Sequence, residues 1–225
     1  MIRPFSDMEP TENDTNKSPY HHGDLRNALI QASLKVLREE GLDALSLRRV
    51  AREANVSPAA PYRHFKDKQS LLCSLATHGF HILHEDLEKA RAAAPGCLDT
   101  AGQAYMAFAR REPQCYRLMF TLNLPNDIPT ADDLQPAGDL AFASLCTNIR
   151  TGMAAGLITE ADENEIALAA WAMVHGICML VIDGSLADRP SAQLPPERLL
   201  ESCLRHFRHG WQRSKSTERS DALRN

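Results

Sequence analysis

The 225-residue sequence has no C-x-x-C pair, glycine-rich phosphate loop, nucleophile elbow, H-E-x-x-H pair or evidently convergent pair of carboxylates. The common anchors of metal, nucleotide and nucleophilic chemistry are therefore missing, and an enzyme is the disfavoured class. No cofactor and no metal are expected. Alternating runs bounded by hairpin turns are absent, as is any repeat of fixed period. The six cysteines, Cys73, Cys97, Cys115, Cys146, Cys178 and Cys203, are too dispersed for a disulfide scaffold and read as reduced thiols of a cytoplasmic protein. The first twenty residues carry Asp7, Glu9, Glu12 and Asp14 and no apolar stretch, so no secretory signal is expected there. One long apolar run exists, Ile166 to Ile182, interrupted by His175 and Gly176. At helical rise it spans roughly 26 Å, short of the bilayer core of about 30 Å. A helix apolar on every side and outside lipid must be buried in a core or between subunits, so no membrane partner is expected.

What is present is helical periodicity throughout, which gives an all-α chain. Hydrophobic residues make up 44%, enough for one or two compact cores. The net charge of −4 hides an asymmetry. Residues 17–68 hold ten Lys or Arg against six acids, whereas the rest of the chain is acidic on both sides. A small basic module on an acidic body suggests a polyanion-binding end, with a solvated charged face as the plain alternative.

Within the basic module, Asp24 is placed to cap a first helix whose inner face carries Leu25, Leu29, Ala32 and Val36, and Gly41 ends it. Ser46 caps a second helix, LRRVAREA, with Leu47, Val50 and Ala51 inward. After Asn55-Val56, Ser57 and Pro58 stand in the favoured N-cap and N1 order for a short third helix over 58–64. An eight-residue helix, a turn of about three residues and a short second helix form a helix-turn-helix. Asn55 suits the left-handed residue of such a turn, and Ala54 and Val56 pack between the helices.

The segments YHHGDLR at 20–26 and LSLRRVAREANVSPAAPYRHFKDKQSLL at 45–72, with the spacing between them, resemble the N-terminal domain of the TetR family of transcriptional regulators. Asn55 departs from the more usual glycine. The resemblance implies a homodimer of about nine helices that binds double-stranded, palindromic or near-palindromic operator DNA at one end and a small-molecule effector at the other. It implies phosphate contacts from Ser46, Ser57, Arg48, Lys68 and Tyr62, and base contacts from Arg63 and His64; Phe65 is core. Pro58, Ala59 and Ala60 let the recognition backbone approach the DNA. Ser46 and Ser57 are good caps whatever they touch. An arm of Lys17, Tyr20, His21 and His22 is a candidate for the minor groove.

A fourth helix, from Asp67 to about Arg91, is long enough to connect this head to a body. His78, His81 and His84, like Cys203, His206 and His209, recur at a step of three, which drifts around a helix and does not converge on a metal. Beyond Pro95-Gly96, helices are expected over 98–111, 114–122 and 137–155, with a loop over 123–136. Arg110 to Pro113, CYRLMF, and the Trp171, His175, Gly176 spacing resemble the Trp-His-Gly type of TetR C-terminal domain. Phe108, Cys115, Tyr116, Met119, Phe120, Trp171 and His175 are the candidates for a ligand pocket, each with ordinary core as the alternative. Gly176 suggests close helix approach. Ile166, Met173, Ile177 and Val181, paired with Leu200, Leu204 and Phe207, are the candidates for a dimer interface. The domains then read as an arm (1–19), a helix-turn-helix domain (20–68), an effector-binding and dimerisation domain (69–212) and a tail (213–225). The function implied is a ligand-responsive regulator, most simply a repressor. Ligand would move the helix between Pro95 and Pro113 and so tilt the fourth. The alternatives are a regulator responding to thiol oxidation at Cys115 or Cys178 or to metal, a DNA-binding module without a ligand, and a helical enzyme.

Overall fold

A computed structural model describes residues 22–122, 131–186 and 194–211, and side chains within these except at 22–24, 131–132 and 209–211. Most of the expected arm, most of the 123–136 loop and the tail lie outside the described residues; His22 and Asp24 fall inside the first helix, so Asp24 is not the N-cap residue it was expected to be. Among the described residues there is no strand. The eight α-helices are α1 (His22–Glu40), α2 (Leu47–Glu53), α3 (Lys68–Ala93), α4 (Leu98–Arg111), α5 (Pro113–Thr121), α6 (Ala131–Ala154), α7 (Glu163–Ile182) and α8 (Pro196–Trp211), with a 3₁₀ turn at Pro61–Arg63.

Caps set the register of the head. Ser46 has extended backbone and its side chain accepts from the Arg49 N–H at 3.1 Å, starting α2 as expected. The helix ends in a Schellman arrangement: Val56 N–H bonds Ala51 O at 2.9 Å and Asn55 N–H bonds Arg52 O at 3.2 Å, with Asn55 at φ 53°. The third helix differs from expectation. Pro61 has no N–H to give the Ser57 carbonyl, which instead takes Ala60 N–H at 2.9 Å, so 58–64 is a turn followed by the 3₁₀ segment. Ser57 therefore does not cap it by its side chain. Asp67 and Ser70 then form a reciprocal capping box that launches α3.

α3 is the spine. Its first two turns, Ser70 to Ala76, are buried on every side, and beyond them only one face is buried, at Gly79, Leu83, Leu87 and Ala90. One continuous core runs from Leu29, Val36 and Leu37 of α1 through Leu71 and Leu75 of α3 to Phe108, Tyr116, Ile177, Leu200 and Leu204. α5 crosses α3 closely at Gly79, where a Cβ would stand 2.6 Å from Met119 Sδ and 2.9 Å from Cys115 Sγ. The α3–α4 loop is pinned by buried Asn148, which accepts from Gly96 N–H at 2.8 Å and donates to Cys97 O at 3.1 Å.

Two boundaries differ from expectation in the body. α6 begins at Ala131 rather than 137, with Pro136 inside it. Leu134 packs on the core from this extra turn and a half, which offsets the hydrogen bond that Pro136 cannot make. α7 extends to 20 residues, capped by Asp162, and is long and apolar enough by composition to cross a membrane. It packs against α4, α6 and α8, and Ile166, Ala170, Val174 and Ile177 are buried there. A Cβ at Gly176 would meet nothing within 4 Å among the described residues, so the close approach expected there does not occur among them.

Replacing Asn55 separates backbone strain from packing. Asn55→Gly is expected to leave stability unchanged or raise it by up to about 1 kcal/mol, and Asn55→Val to lower it by about 1–2 kcal/mol, because the site requires positive φ. Urea unfolding of both variants measures the difference.

Candidate functional site: a helix-turn-helix face and an apolar cavity

On the head, Ser46, Arg48, Ser57, Pro58, Ala59, Tyr62, Arg63 and Lys68 are exposed, Tyr62 at 53%. His64 is half-buried with its ring 6.5 Å from that of Phe65. Ala60, expected on the outer side, is buried, because the 3₁₀ turn rolls it under the segment. Phe65 is core, as expected.

The basic residues of the head divide into two groups. Arg49 is held by Glu40 and, at 2.8 Å, by Glu53, which also takes Lys35 at 2.5 Å. The guanidinium and ammonium hold both carboxyls below the usual range. Arg26 donates to Ser74 Oγ at 3.1 Å and lies 5.7 Å from the Phe65 ring centre, and Arg38 ties α1 to Glu112 at the start of α5. These cations are committed to the fold. Arg48, Arg52, Arg63 and Lys66 are exposed and make no ion pair among the described residues; Lys68 Nζ donates to Leu42 O at 3.1 Å. Arg52 and Lys66 were absent from the expected set, although both lie in the basic stretch that pointed to the head.

In the body, a cavity of about 460 Å³ lies between α3, α4, α5, α6 and α7, with Leu204 of α8 also in its wall. Met119, Phe120 and Trp171 line it, as expected. Phe108, Cys115 and Tyr116 do not: at 0%, 3% and 0% exposure they are core behind the wall. Periodicity placed them on the right helices but could not tell the cavity side from the core side. Tyr105, Phe80, Phe142, Gln135 and Asp139 are lining residues that the sequence reading missed. The start of α6 is a partition. Leu134, Gln135 and Gly138 face this cavity, while Asp133, Pro136 and Leu140 face a second, polar one against Arg26 and Asn27 of α1.

His175 stands just behind the wall, its ring 4.4 Å from that of Phe120. Its Nδ1 lies 2.7 Å from Tyr116 Oη and 3.2 Å from Tyr105 Oη; Tyr116 Oη donates to Tyr105 Oη at 3.2 Å, and Trp171 Nε1 donates to it at 3.3 Å. Burial pushes both phenols up and His175 down, so the network is neutral at pH 7. Burial also pushes the Cys115 and Cys178 thiols up to about 12, which holds them protonated and unreactive. The three histidines of α3 diverge: His84 meets Ser144 Oγ at 2.7 Å, His78 meets Gln31, and His81 is exposed.

The expected dimer residues lie mostly inside one protomer. Ile166, Ile177, Leu200 and Leu204 are 1–7% exposed before any partner is present, and Met173, Val181 and Phe207 are partly buried against the core. The apolar groups left outward on α7 are Leu168, Trp171, Ala172 and Leu180, beside Gly176. The sequence reading took the inner stripe for the outer one, since a helix apolar all round offers no polar face to orient it.

Two family models match. The model described as bacterial regulatory proteins, tetR family, covers residues 29–75, and that described as tetracyclin repressor-like, C-terminal domain, covers 98–207. Among solved structures, a protein of unknown function from Rhodococcus sp. RHA1 is 33% identical over 88% of this chain and 100% of that one, with a TM-score of 0.74. PfmR of Thermus thermophilus, a TetR family transcriptional regulator, is 20% identical over 82% of this chain and 99% of its own, with a TM-score of 0.61. FadR of Bacillus subtilis, solved with stearoyl-CoA, is 16% identical over 82% and 98%, with a TM-score of 0.64.

A pH profile tests the buried histidines. His78 and His175 are both lowered from 6.5 in the fold, chiefly by burial, so the unfolded chain binds more protons below that value. Stability is therefore full above about pH 6.5 and falls as pH drops through that value toward the lower folded ones. The ion-paired carboxylates lose their contribution only below about pH 4.5, which keeps the two windows apart. Melting temperature is expected to fall between pH 7.5 and 5.5, and less so in His175→Gln; a flat profile there would contradict the buried neutral imidazoles.

Proposed function

This chain belongs to the TetR family of transcriptional regulators, DNA-binding proteins rather than enzymes, and on that premise we propose a ligand-responsive repressor. It acts in the cytoplasm as a homodimer on a palindromic or near-palindromic operator, and a small molecule in the α3–α7 cavity sets its affinity. The observation that carries this reading is the double use of α3. Residues Leu71 to Ala76 lie in the core beneath the head, and Phe80, Leu83 and Leu87 of the same helix wall the cavity.

On DNA, the 57–64 segment enters the major groove. Tyr62 lies against the backbone, Arg63 and His64 face base edges, and Ser46, Ser57, Arg48 and Lys68 meet phosphates. Pro58 and Ala59 keep the approach free of bulk. Arg52 and Lys66 join the phosphate set, being exposed and unpaired among the described residues. The dimer forms on the outer face of α7 through Leu168, Ala172, Gly176 and Leu180. The Gly176 face, empty among the described residues, gives a second copy room for close helix approach.

The switch is linkage. Two recognition segments must reach grooves about 34 to 36 Å apart, so a ligand that prefers another dimer geometry weakens operator binding by its differential affinity. α4 contributes Leu98, Ala101, Gly102 and Tyr105 to the cavity and packs on α3, which supports the expected route of α4 displacement and α3 tilt.

Anisotropy with DNA from immediately upstream of the coding region, against scrambled DNA at two salt concentrations, tests the reading. The native fragment is expected to bind at least about 10³-fold tighter and to weaken steeply with salt. Arg48→Ala should weaken both fragments and reduce the salt slope by about one per subunit, as should Tyr62→Ala without the slope change. Leu180→Glu should sediment as a monomer and bind weakly. Equal, weak binding to both fragments, followed by failure of a genome-wide selection for a binding site, would contradict the regulator reading.

A further inference from the structure

Resting on the proposal that the apolar cavity is the effector site, we infer that its ligand class is lipophilic cations and not acyl carboxylates or acyl-CoA. Four ring systems form an unbroken chain around the cavity. Phe80 meets Phe120 edge-on at 5.4 Å between centroids, Phe120 meets Trp171 at 6.3 Å, and Trp171 meets Phe142 at 6.2 Å. Each ring face carries the negative side of its quadrupole, which attracts a cation and repels an anion.

The charges of the wall agree in sign. Among the described lining residues there is no Lys, Arg or His, and the one acidic side chain is Asp139, exposed on α6. Gln135, one turn earlier on the same helix, donates from Nε2 to Asp139 Oδ1 at 2.8 Å. The other polar atoms of the wall, Tyr105 Oη and Trp171 Nε1, bond each other and the Tyr116–His175 pair behind them. A carboxylate or phosphate entering this space would lose water without gaining a counter-charge from the described lining residues, a penalty too large for dispersion contacts to offset. A cation whose charge is spread over apolar groups is weakly hydrated to begin with. It meets aromatic rings inside and the Asp139 side chain at the rim. The volume of about 460 Å³ is in the range that holds a drug-sized molecule.

The test uses two ions of one shape and opposite charge, tetraphenylphosphonium and tetraphenylborate, with neutral triphenylphosphine oxide as a third probe. Each is titrated calorimetrically into the full-length protein and into Asp139→Asn and Phe120→Leu, all checked for an unchanged melting temperature. Tetraphenylphosphonium is expected to bind at least tenfold tighter than tetraphenylborate. Asp139→Asn should reduce that ratio at least threefold with the neutral probe unaffected, and Phe120→Leu should weaken the cation more than the neutral probe. Equal affinities, a preference for the borate, or an unchanged ratio in Asp139→Asn would overturn the charge assignment while leaving the cavity a ligand site. Binding of none of the three probes would overturn the cavity as an effector site as well.

Discussion

The structure depends on one constraint: α3 cannot bury its first two turns without joining the head to the body. Ser70 to Ala76 have no exposed side, so α1 must cover them from one direction and α5 from another. α5 fits because residue 79 is glycine, which lets Met119 and Cys115 lie against the α3 backbone. The same short helix is bolted to α1 through Glu112 and Arg38, and it offers Met119 and Phe120 to the cavity. A packed junction of this kind transmits displacement instead of absorbing it, because close-packed interiors have little free volume in which side chains can give way.

Around that junction the two sides of the protein have contrasting chemistry. The head keeps its cations outward only where α1 and α2 do not need them; Arg49, Arg26 and Arg38 hold helices together, and Arg48, Arg52, Arg63 and Lys66 remain for a polyanion. The body surrounds an apolar space with aromatic rings and closes its far side with the neutral Tyr105–Tyr116–His175 network. The first turns of α6 divide that space from the polar cavity beside α1. α6 also packs along α3, which joins this wall of the cavity to the head apart from α4.

Much of this was legible in the sequence wherever a signal was local. Ser46 and Asn55 carry cap and left-handed chemistry that acts over a few residues, and they placed the second helix and the turn after it to within a residue. The third helix departs from expectation because Pro61, inside the expected 58–64, has no N–H to give: a turn and a 3₁₀ segment stand in place of the α-helix, and Ala60 is buried. The cavity was half legible. Met119, Phe120 and Trp171 share helix faces with Cys115, Tyr116 and His175, and only the packing of α3 and α6 decides which of them meets space and which meets core. Phe80 and Asp139 come from helices far apart in sequence, so no spacing could have paired them. For α7, uniform hydrophobicity removed the contrast that would have distinguished Ile166 and Ile177, which face inward, from Leu168 and Leu180, which face out.

The central claim is that the head and the cavity wall form one coupled unit, and hydrogen exchange tests it without need of a ligand. Amide exchange is compared between the free full-length protein and the same protein saturated with its operator fragment. The account predicts changed protection in the start of α6 and in α4, at 131–145 and 98–111, as well as in the DNA-facing residues 22–75, since coupling between sites is reciprocal. Changes confined to 22–75, with α4 and α6 exchanging at unaltered rates, would contradict it.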